Sequence, residues 1–530
     1  MDDLAELVSR AAVEAADRTA LIEAHGRSVT WAEVDDEVGR VATGLGKAGV
    51  VAGHRALVAL GNRIEFVTAY FGILRAQAVA VPVNPDATVD ELARMLADSG
   101  ARVAFADANT IGTVRAAVAL VAAGLAGEET DLDDEVLSRA APTSVVTVGV
   151  PPAAGERAYD DLLADRARPV PPLQDPEKLA VLLYTGGASG WPRAAMLTHR
   201  ALLANIEQVA RIEPPMIRGD DVVLGVLPLF HVYGLNAVLG GAVRHLATLV
   251  LQERFDPEDT LDLVARHECT VVPVAPAVFS RWLPIEDLRS RLASVRLVLS
   301  GSAPLSREVI DRFAEQTGIA VHQGYGLTEA APVVTSTRRR QDHQPGSVGA
   351  AVEGVEIRLV DEHGHVVEGD DPREIWIRGD NLFSGYWPDG EGRPDKEGWW
   401  ATGDVGILDH TGDLFLVDRL EEVVIVSGFN VYPHEVENVI RETEGVEDAA
   451  VIGVADDATG EAVVAYVVAF GIDAPEAEAA VRRHCATRLA RFKQPSRVEI
   501  VDTLPLSVAG KVQKGRLRGL DRRRALELLE

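Results

Sequence analysis

The feature that most constrains this chain is a recurring unit: a short β-branched or apolar run that stops at Gly, Pro or Ser, followed by helical periodicity. Arg55 to Leu60 reads as a strand and Ile64 to Gln77 as the helix after it. Leu179 to Tyr184, Val222 to Val226, Thr270 to Val274 and Val295 to Ser300 repeat the pattern. Such alternation predicts layered α/β sheets, with ligands gathering at the strand ends. After Ser347 the texture becomes alternating strands and turns, as in Val355 to Val360 and Glu374 to Arg378, which predicts a β-rich subdomain. From Glu421 onward a compact mixture of strands and helices is expected, including one helix with Val481, Cys485, Leu489 and Phe492 on a shared face. The run Gly127 to Gly155 reads as the most flexible stretch.

At 530 residues the chain exceeds one ordinary core and predicts a large compound domain plus a smaller one. Its 52 basic and 81 acidic side chains leave a formal charge of −29, which disfavours nucleic acid as a partner. An anionic substrate must then be met by local cations, a metal ion or backbone N–H groups. Cys269 and Cys485 alone provide no disulfide framework. The acidic start at Met1 to Arg10 lacks the form of a signal peptide, and no run approaches roughly eighteen uninterrupted apolar residues. A cytoplasmic chain without a membrane span is the expectation.

The strand Leu179 to Tyr184 runs into Thr185-Gly186-Gly187-Ala188-Ser189-Gly190-Trp191-Pro192-Arg193, a Gly-rich turn whose N–H groups suit phosphates. Alone it does not separate a phosphate loop from a surface loop, and it lacks the Lys-Ser/Thr pair of a Walker loop. It has company downstream. Leu227-Pro228-Leu229-Phe230-His231-Val232-Tyr233-Gly234, Gln323-Gly324-Tyr325-Gly326-Leu327-Thr328-Glu329, Thr402-Gly403-Asp404, Asp418-Arg419, Ser427-Gly428-Phe429-Asn430-Val431-Tyr432-Pro433 and Gly510-Lys511 follow in order. With these segments the chain resembles the acyl-CoA synthetase or adenylate-forming (AMP-binding) family over nearly its whole length. The resemblance implies a large N-terminal domain of three subdomains, two α/β sheets and a β-rich one, with a small mobile α+β C-terminal domain. The expected boundaries are 1–417, a hinge linker at 418–420, and 421–530.

The chemistry can be stated from first principles. A carboxylate expels oxide too poorly to acylate a thiol, so it first attacks the α-phosphate of ATP and acquires AMP as leaving group. Thr328 can offer a hydroxyl to that phosphate, and Glu329 a hard oxygen to Mg2+. By resemblance, Tyr325 with Gln323, Gly324 and Gly326 faces adenine, as does the loop Gly301-Ser302-Ala303. Asp404 would accept the ribose hydroxyls, and Arg419 would fork onto ribose or phosphate. Lys511 matches the family's catalytic lysine, whose ammonium stabilises the charge of the transition state. Only six Lys stand against 46 Arg, which makes a lysine there less incidental.

The resemblance further implies that the small domain turns about a hinge at Glu421 and presents Ser427, Gly428, Phe429 and Asn430 to coenzyme A. The family commonly carries Lys or Asp at that hinge position. His231 would close the acyl tunnel, with Val232, Tyr233, Val278 and Leu327 lining an apolar pocket. No acidic residue awaits an α-amino group there, so a simple carboxylic acid is expected.

One segment departs from the family. Where it usually reads Thr-Ser-Gly-Thr-Thr-Gly, any residue, Pro-Lys-Gly, this chain has Gly186, Ala188, Arg193 and Ala194 in place of Ser, Thr, Lys and Gly. Thr185, Gly187, Ser189 and Gly190 are kept, and Arg193 supplies a cation. Two lost hydroxyls, at about 1.5–3 kcal/mol each, weaken a triphosphate site. The expectation is an acid:CoA ligase using ATP, coenzyme A and Mg2+. Two other readings stay open: an enzyme that takes preformed acyl-AMP from an upstream adenylating partner, and an inactive nucleotide-binding paralogue.

Overall fold

The computed structural model describes residues 2–525 apart from 25, 165, 186–191, 304, 341, 362, 368–370, 427–428, 457–458 and 508–510; for 421, 430, 460 and 522–525 it describes the backbone alone. The chain forms two compact units. One comprises 1–342, 351–355 and 378–398; the other comprises 343–350, 356–377 and 399–530.

The first unit holds two seven-stranded sheets. In one, the strands Val321–Gln323, Leu297–Ser300, Val271–Val274, Val222–Gly225 and Thr248–Leu251 run side by side in that order, continued by Thr19–Glu23 and the antiparallel Ser28–Thr30. Neighbours are parallel, with Val271 opposite Leu297 and Val298 opposite Val321. Four adjacent strands therefore end on one edge, and the segments after them carry the Leu-Pro-Leu-Phe-His, Val278, Gly301 and Gly324 positions. Helices cover the buried faces, as apolar strands of a parallel sheet require. Phe279, Trp282 and Phe313 fill one such layer, Phe279 and Phe313 meeting edge to face at 5.1 Å.

The second sheet has the order Arg157–Ala158, Ser144–Thr147, Val103–Ala106, Arg55–Ala59, Val79–Pro82, Leu179–Thr185, Arg193–Thr198. Its last strand turns back antiparallel, Tyr184 facing Ala194. The stretch Gly127 to Gly155 is better built than its composition predicts: Ser144–Thr147 pairs with Val103–Ala106 because Val145 and Val146 bury against it. Helix starts follow local chemistry, as where Thr30 and Glu33, and Thr88 and Glu91, form reciprocal capping boxes.

The second unit contains the expected β-rich sheet, Val355–Val360, Arg373–Gly379, Trp399–Leu408 and Leu414–Arg419. It also contains a five-stranded sheet built from Phe429–Val431, Val424–Val426, Gly460–Ala469, Val446–Asp456 and Arg497–Ile500. The helix over that sheet is Ala474–Arg488, so Val481 and Cys485 share its buried face, while Leu489 and Phe492 lie beyond its end. Both still pack on the same core, through the turn that follows. Helical spacing gave the right neighbours with the wrong element.

Replacing Phe313 by Ala should cost about 3–5 kcal/mol, because it empties an interlocked aromatic site. Guanidinium titration followed by circular dichroism checks this; a midpoint equal to wild type would contradict it.

Candidate active site

The loop after Val321–Gln323 is built from close backbone approaches. A Cβ on Gly324 would lie 2.6 Å from the Thr335 carbonyl oxygen, and one on Gly326 would lie 2.3 Å from that of Pro332. Only glycine allows these contacts. The N–H of Tyr325 donates to Thr335 Oγ1 at 3.1 Å, the N–H of Gln323 donates to Thr337 Oγ1 at 3.0 Å, and Gln323 Oε1 accepts from the Leu305 N–H. Tyr325 is buried. Thr328 and Glu329 then form one 3-10 turn, Thr328–Ala330.

That turn is fixed by side-chain amides. Asn236 Nδ2 donates to the Ala331 carbonyl at 2.7 Å, and Asn381 Nδ2 donates to that of Ala330 at 2.7 Å. Asn205 both donates to the Val333 carbonyl at 2.8 Å and accepts from its N–H at 3.0 Å. Glu329 is 8% exposed, and Tyr386 donates to its Oε1 at 2.6 Å. The Arg193 guanidinium lies 4.1 Å from the Tyr386 ring centroid and pairs with Glu391 at 2.7 Å. The predicted phosphate-loop cation and the predicted metal carboxylate thus meet on opposite ends of one tyrosine.

The acyl-side positions converge on the same loop. Asn62 accepts from the Leu229 N–H and donates to the Gly225 and Leu227 carbonyls, which sets the Leu227 to His231 segment. His231 Nδ1 accepts from the Tyr233 N–H at 3.3 Å. Tyr233 opens the π-helix Tyr233–Gly240, which carries Asn236. A Cβ on Gly301 would sit 2.8 Å from Tyr233 Cε1, so glycine at that strand end makes room for the ring. Burial pushes the Tyr233 phenol well above its ordinary value. Ser302 beside it adopts a left-handed φ of 75°, and Ala303 continues the loop. Val232 and Val278 are buried, Val278 within the apolar layer under the sheet; Leu327 is half-buried.

In the second unit Asp404 and Arg419 are cross-strand partners, and Arg419 Nε lies 3.2 Å from Asp404 Oδ1. Asp418 accepts from the His434 N–H at 2.8 Å. Burial, helped by nearby Glu422, pushes its carboxyl up to about 6 against the pull of Lys514 and two backbone donors. Phe429 is 57% exposed and stacks on Phe492, centroids 4.8 Å apart. Lys511 is exposed, and its carbonyl accepts from the Ser507 N–H at 2.7 Å. Gly187, Ser189, Gly190, Ser427, Gly428 and Gly510 lie outside the described residues, and for Glu421 and Asn430 the backbone alone is described.

Residues 8–387 match the AMP-binding enzyme family, and residues 435–511 match the AMP-binding enzyme C-terminal domain. The chain belongs to the AMP-binding enzyme family. It is 34% identical to 4-coumarate–CoA ligase 5 of Oryza sativa subsp. japonica over 518 residues, covering 95% of this chain and 91% of that protein. Among solved structures, ATP-bound MatB from Rhodopseudomonas palustris aligns with a TM-score of 0.86 at 31% identity, over 97% and 98% of the two chains. The anthranilate CoA ligase AuaEII, solved with anthranoyl-AMP, aligns with a TM-score of 0.88 at 25% identity, over 99% and 98%. This AMP-binding enzyme is an acid–thiol ligase, with ATP and coenzyme A as its co-substrates. Among the described residues no helix is long and apolar enough to cross a membrane.

The donor set fits Mg2+. Among the described residues no cluster of three or more His, Cys, Asp or Glu forms a metal cage. Mg2+ needs no such cage, since it keeps its waters and takes one or two carboxylates alongside substrate phosphates. Glu329, a carboxylate held in place by Tyr386, has the chemistry that such a site would need.

Sequence reasoning missed Tyr386, Asn205, Asn236 and Asn381. A single Asn inside the apolar run Tyr233 to Leu239 was the one available signal, because a buried amide needs partners. Removing the Tyr386 hydroxyl leaves a buried carboxylate oxygen without that donor. Tyr386→Phe should therefore raise KM for Mg·ATP on the order of tenfold while sparing thioester formation from supplied acyl-AMP. Steady-state kinetics across Mg2+ concentration check this; unchanged Mg·ATP dependence would contradict it.

Proposed function

We propose that this enzyme is a complete AMP-forming acid:CoA ligase that converts an apolar, ring-bearing carboxylic acid to its thioester through acyl-AMP. The observation that carries the reading is the Glu329 turn, held by Asn236 to the very helix that starts with Tyr233. One element thereby ties the nucleotide side to the acyl side.

In the first half-reaction the acid's carboxylate attacks the α-phosphate and pyrophosphate leaves. Thr328 donates its hydroxyl to the α-phosphate, and Lys511 places its ammonium where negative charge accumulates. Glu329 holds Mg2+, which when bound neutralises phosphate charge. Asp404 accepts from the ribose hydroxyls, with Arg419 beside it, and Tyr325 with the Gly301 to Ala303 loop flanks adenine. Arg193 replaces the usual loop lysine, and its planar fork suits phosphate oxygens. His231 closes the acyl tunnel, and Val232, Tyr233, Val278 and Leu327 form its wall.

The close seating of the Tyr233 ring against Gly301 supports a compact acid in this reading. The aromatic acids in the printed names of two relatives, 4-coumarate and anthranilate, support a ring-sized acid. In the second half-reaction the segment 421–530 turns about the linker 418–420, with Glu421 as its pivot. Lys511 withdraws, and Gly428, Phe429 and Asn430 receive the pantetheine arm so that the thiol attacks the acyl carbonyl and AMP leaves.

Lys511→Ala should lower acid-dependent ATP–pyrophosphate exchange by roughly a hundredfold or more while leaving thioester formation from synthetic acyl-AMP within about twofold. Equal loss of both half-reactions would remove Lys511 from this role.

A further inference from the structure

Lys511 sits on one arm, 511–513, of a hairpin whose other arm is 505–507. Besides the Ser507 N–H bond to its carbonyl, its own N–H donates to Ser507 Oγ at 3.1 Å, Leu506 bridges Val512, and the Gln513 N–H donates to the Pro505 carbonyl at 2.7 Å. Two residues beyond Lys511 bind this hairpin to the rest of its unit. Val512 packs on the apolar cluster of Ala450, Ile452, Val464, Tyr466, Leu504 and Leu517, which ties it to the five-stranded sheet. Lys514, first residue of the helix Lys514–Ala525, ties it elsewhere.

The Lys514 ammonium lies 2.9 Å from Glu422 Oε2 and 2.8 Å from Glu437 Oε1. Its side chain is 11% exposed and that of Glu437 6%. Asp418 also attracts it. Glu437 is itself fixed, since its Oε1 accepts from the Val451 N–H at 2.9 Å. Taking an ammonium this far out of water is costly unless paired and hydrogen-bonded, and two carboxylates meet that need. Their places in the chain give the contact its meaning. Glu422 ends the 3-10 turn Leu420–Glu422, directly after Asp418 and Arg419, while Glu437 lies on the helix Pro433–Arg441 whose second residue, His434, donates its N–H to Asp418. The segment that carries the proposed catalytic amine is thus ion-paired, over 92 residues of sequence, to Glu422, the residue directly after the proposed pivot Glu421.

We propose that Lys514 is a positioning residue for adenylation: its ion pairs to Glu422 and Glu437 hold the Lys511 hairpin in register with the linker, so the linker's conformation is passed to the catalytic amine. A neutral residue at 514 leaves two carboxylates facing each other and frees the hairpin on that side. This rests on the role given to Lys511 above.

The test uses the full chain as Lys514→Gln, Lys514→Arg and Glu422→Gln. Three readouts are taken: acid-dependent ATP–pyrophosphate exchange, thioester formation from synthetic acyl-AMP, and hydrogen–deuterium exchange of the peptide spanning 503–513. Lys514→Gln should lower kcat for pyrophosphate exchange about tenfold, with KM for ATP and the thioester step each within about twofold. Lys514→Arg should restore most of that loss. Glu422→Gln, which keeps Glu437 as partner, should show the same split with a smaller loss and serves if Lys514→Gln fails to fold. Amide exchange in 503–513 should rise in both neutral variants. Proportional loss of both half-reactions, loss of neither, or unchanged amide exchange would overturn the proposal. Should the wild type itself show no pyrophosphate exchange, the reading of Lys511 fails, and the amide-exchange comparison still decides whether Lys514 tethers the hairpin.

Discussion

The candidate active site depends on how a loop with only one short antiparallel bridge, Gly326 to Val333, keeps its backbone satisfied. Between Tyr325 and Val334 the chain leaves the parallel sheet, bends back on itself and is nearly buried, so its carbonyls need partners other than water. Backbone N–H groups supply those of Tyr325, Leu327, Thr328, Glu329 and Pro332, and Asn381, Asn236 and Asn205 supply those of Ala330, Ala331 and Val333. An amide lost from such a place costs about 1–3 kcal/mol in unsatisfied groups. The same bonds set the position of Thr328 and Glu329 relative to the helix after His231. Gly324 and Gly326 are the other half of the arrangement, since their missing Cβ atoms let the returning strand come within contact of them.

Much of this was legible in the sequence because it is local. Apolar runs ending in Gly or Ser marked the strands, and the residues after Val222–Gly225, Leu297–Ser300 and Val321–Gln323 stood where ligands of parallel sheets collect. What was illegible is long-range. Nothing near Asn381 announces that it caps the Ala330 carbonyl, and nothing near Tyr386 points to Glu329 or Arg193. Lys514 reads as a solvated helix residue until folding brings Glu422 and Glu437 to it. Periodicity also carried Leu489 and Phe492 into a helix that ends before them, because a following turn can offer the same face to the same core. The run Gly127 to Gly155 also holds a four-residue strand, Ser144–Thr147, that its Gly, Asp and Pro do not announce, because its partner Val103–Ala106 is distant in sequence.

A chain of charge −29 has to meet anionic substrates through local cations, and the two arginines proposed for that role are paired. Arg193 rests on Tyr386 and Glu391, and Arg419 on Asp404. In the roles proposed for them, such pairing would aim each guanidinium before phosphate or ribose takes the partner's place. It also offers a physical reason why an arginine can serve where the family carries a lysine in the phosphate loop, since a stacked, planar fork is already oriented.

In the function proposed above, one chain performs both adenylation and thioester formation despite its altered loop. It is tested most directly by giving the purified enzyme coenzyme A and Mg2+ with either a panel of ring-bearing acids plus ATP, or the matching acyl-adenylates, and detecting thioesters by mass spectrometry. The expected result is the same thioester from both feeds. Thioester from the adenylates alone would contradict it, and would mean that a separate enzyme supplies acyl-AMP.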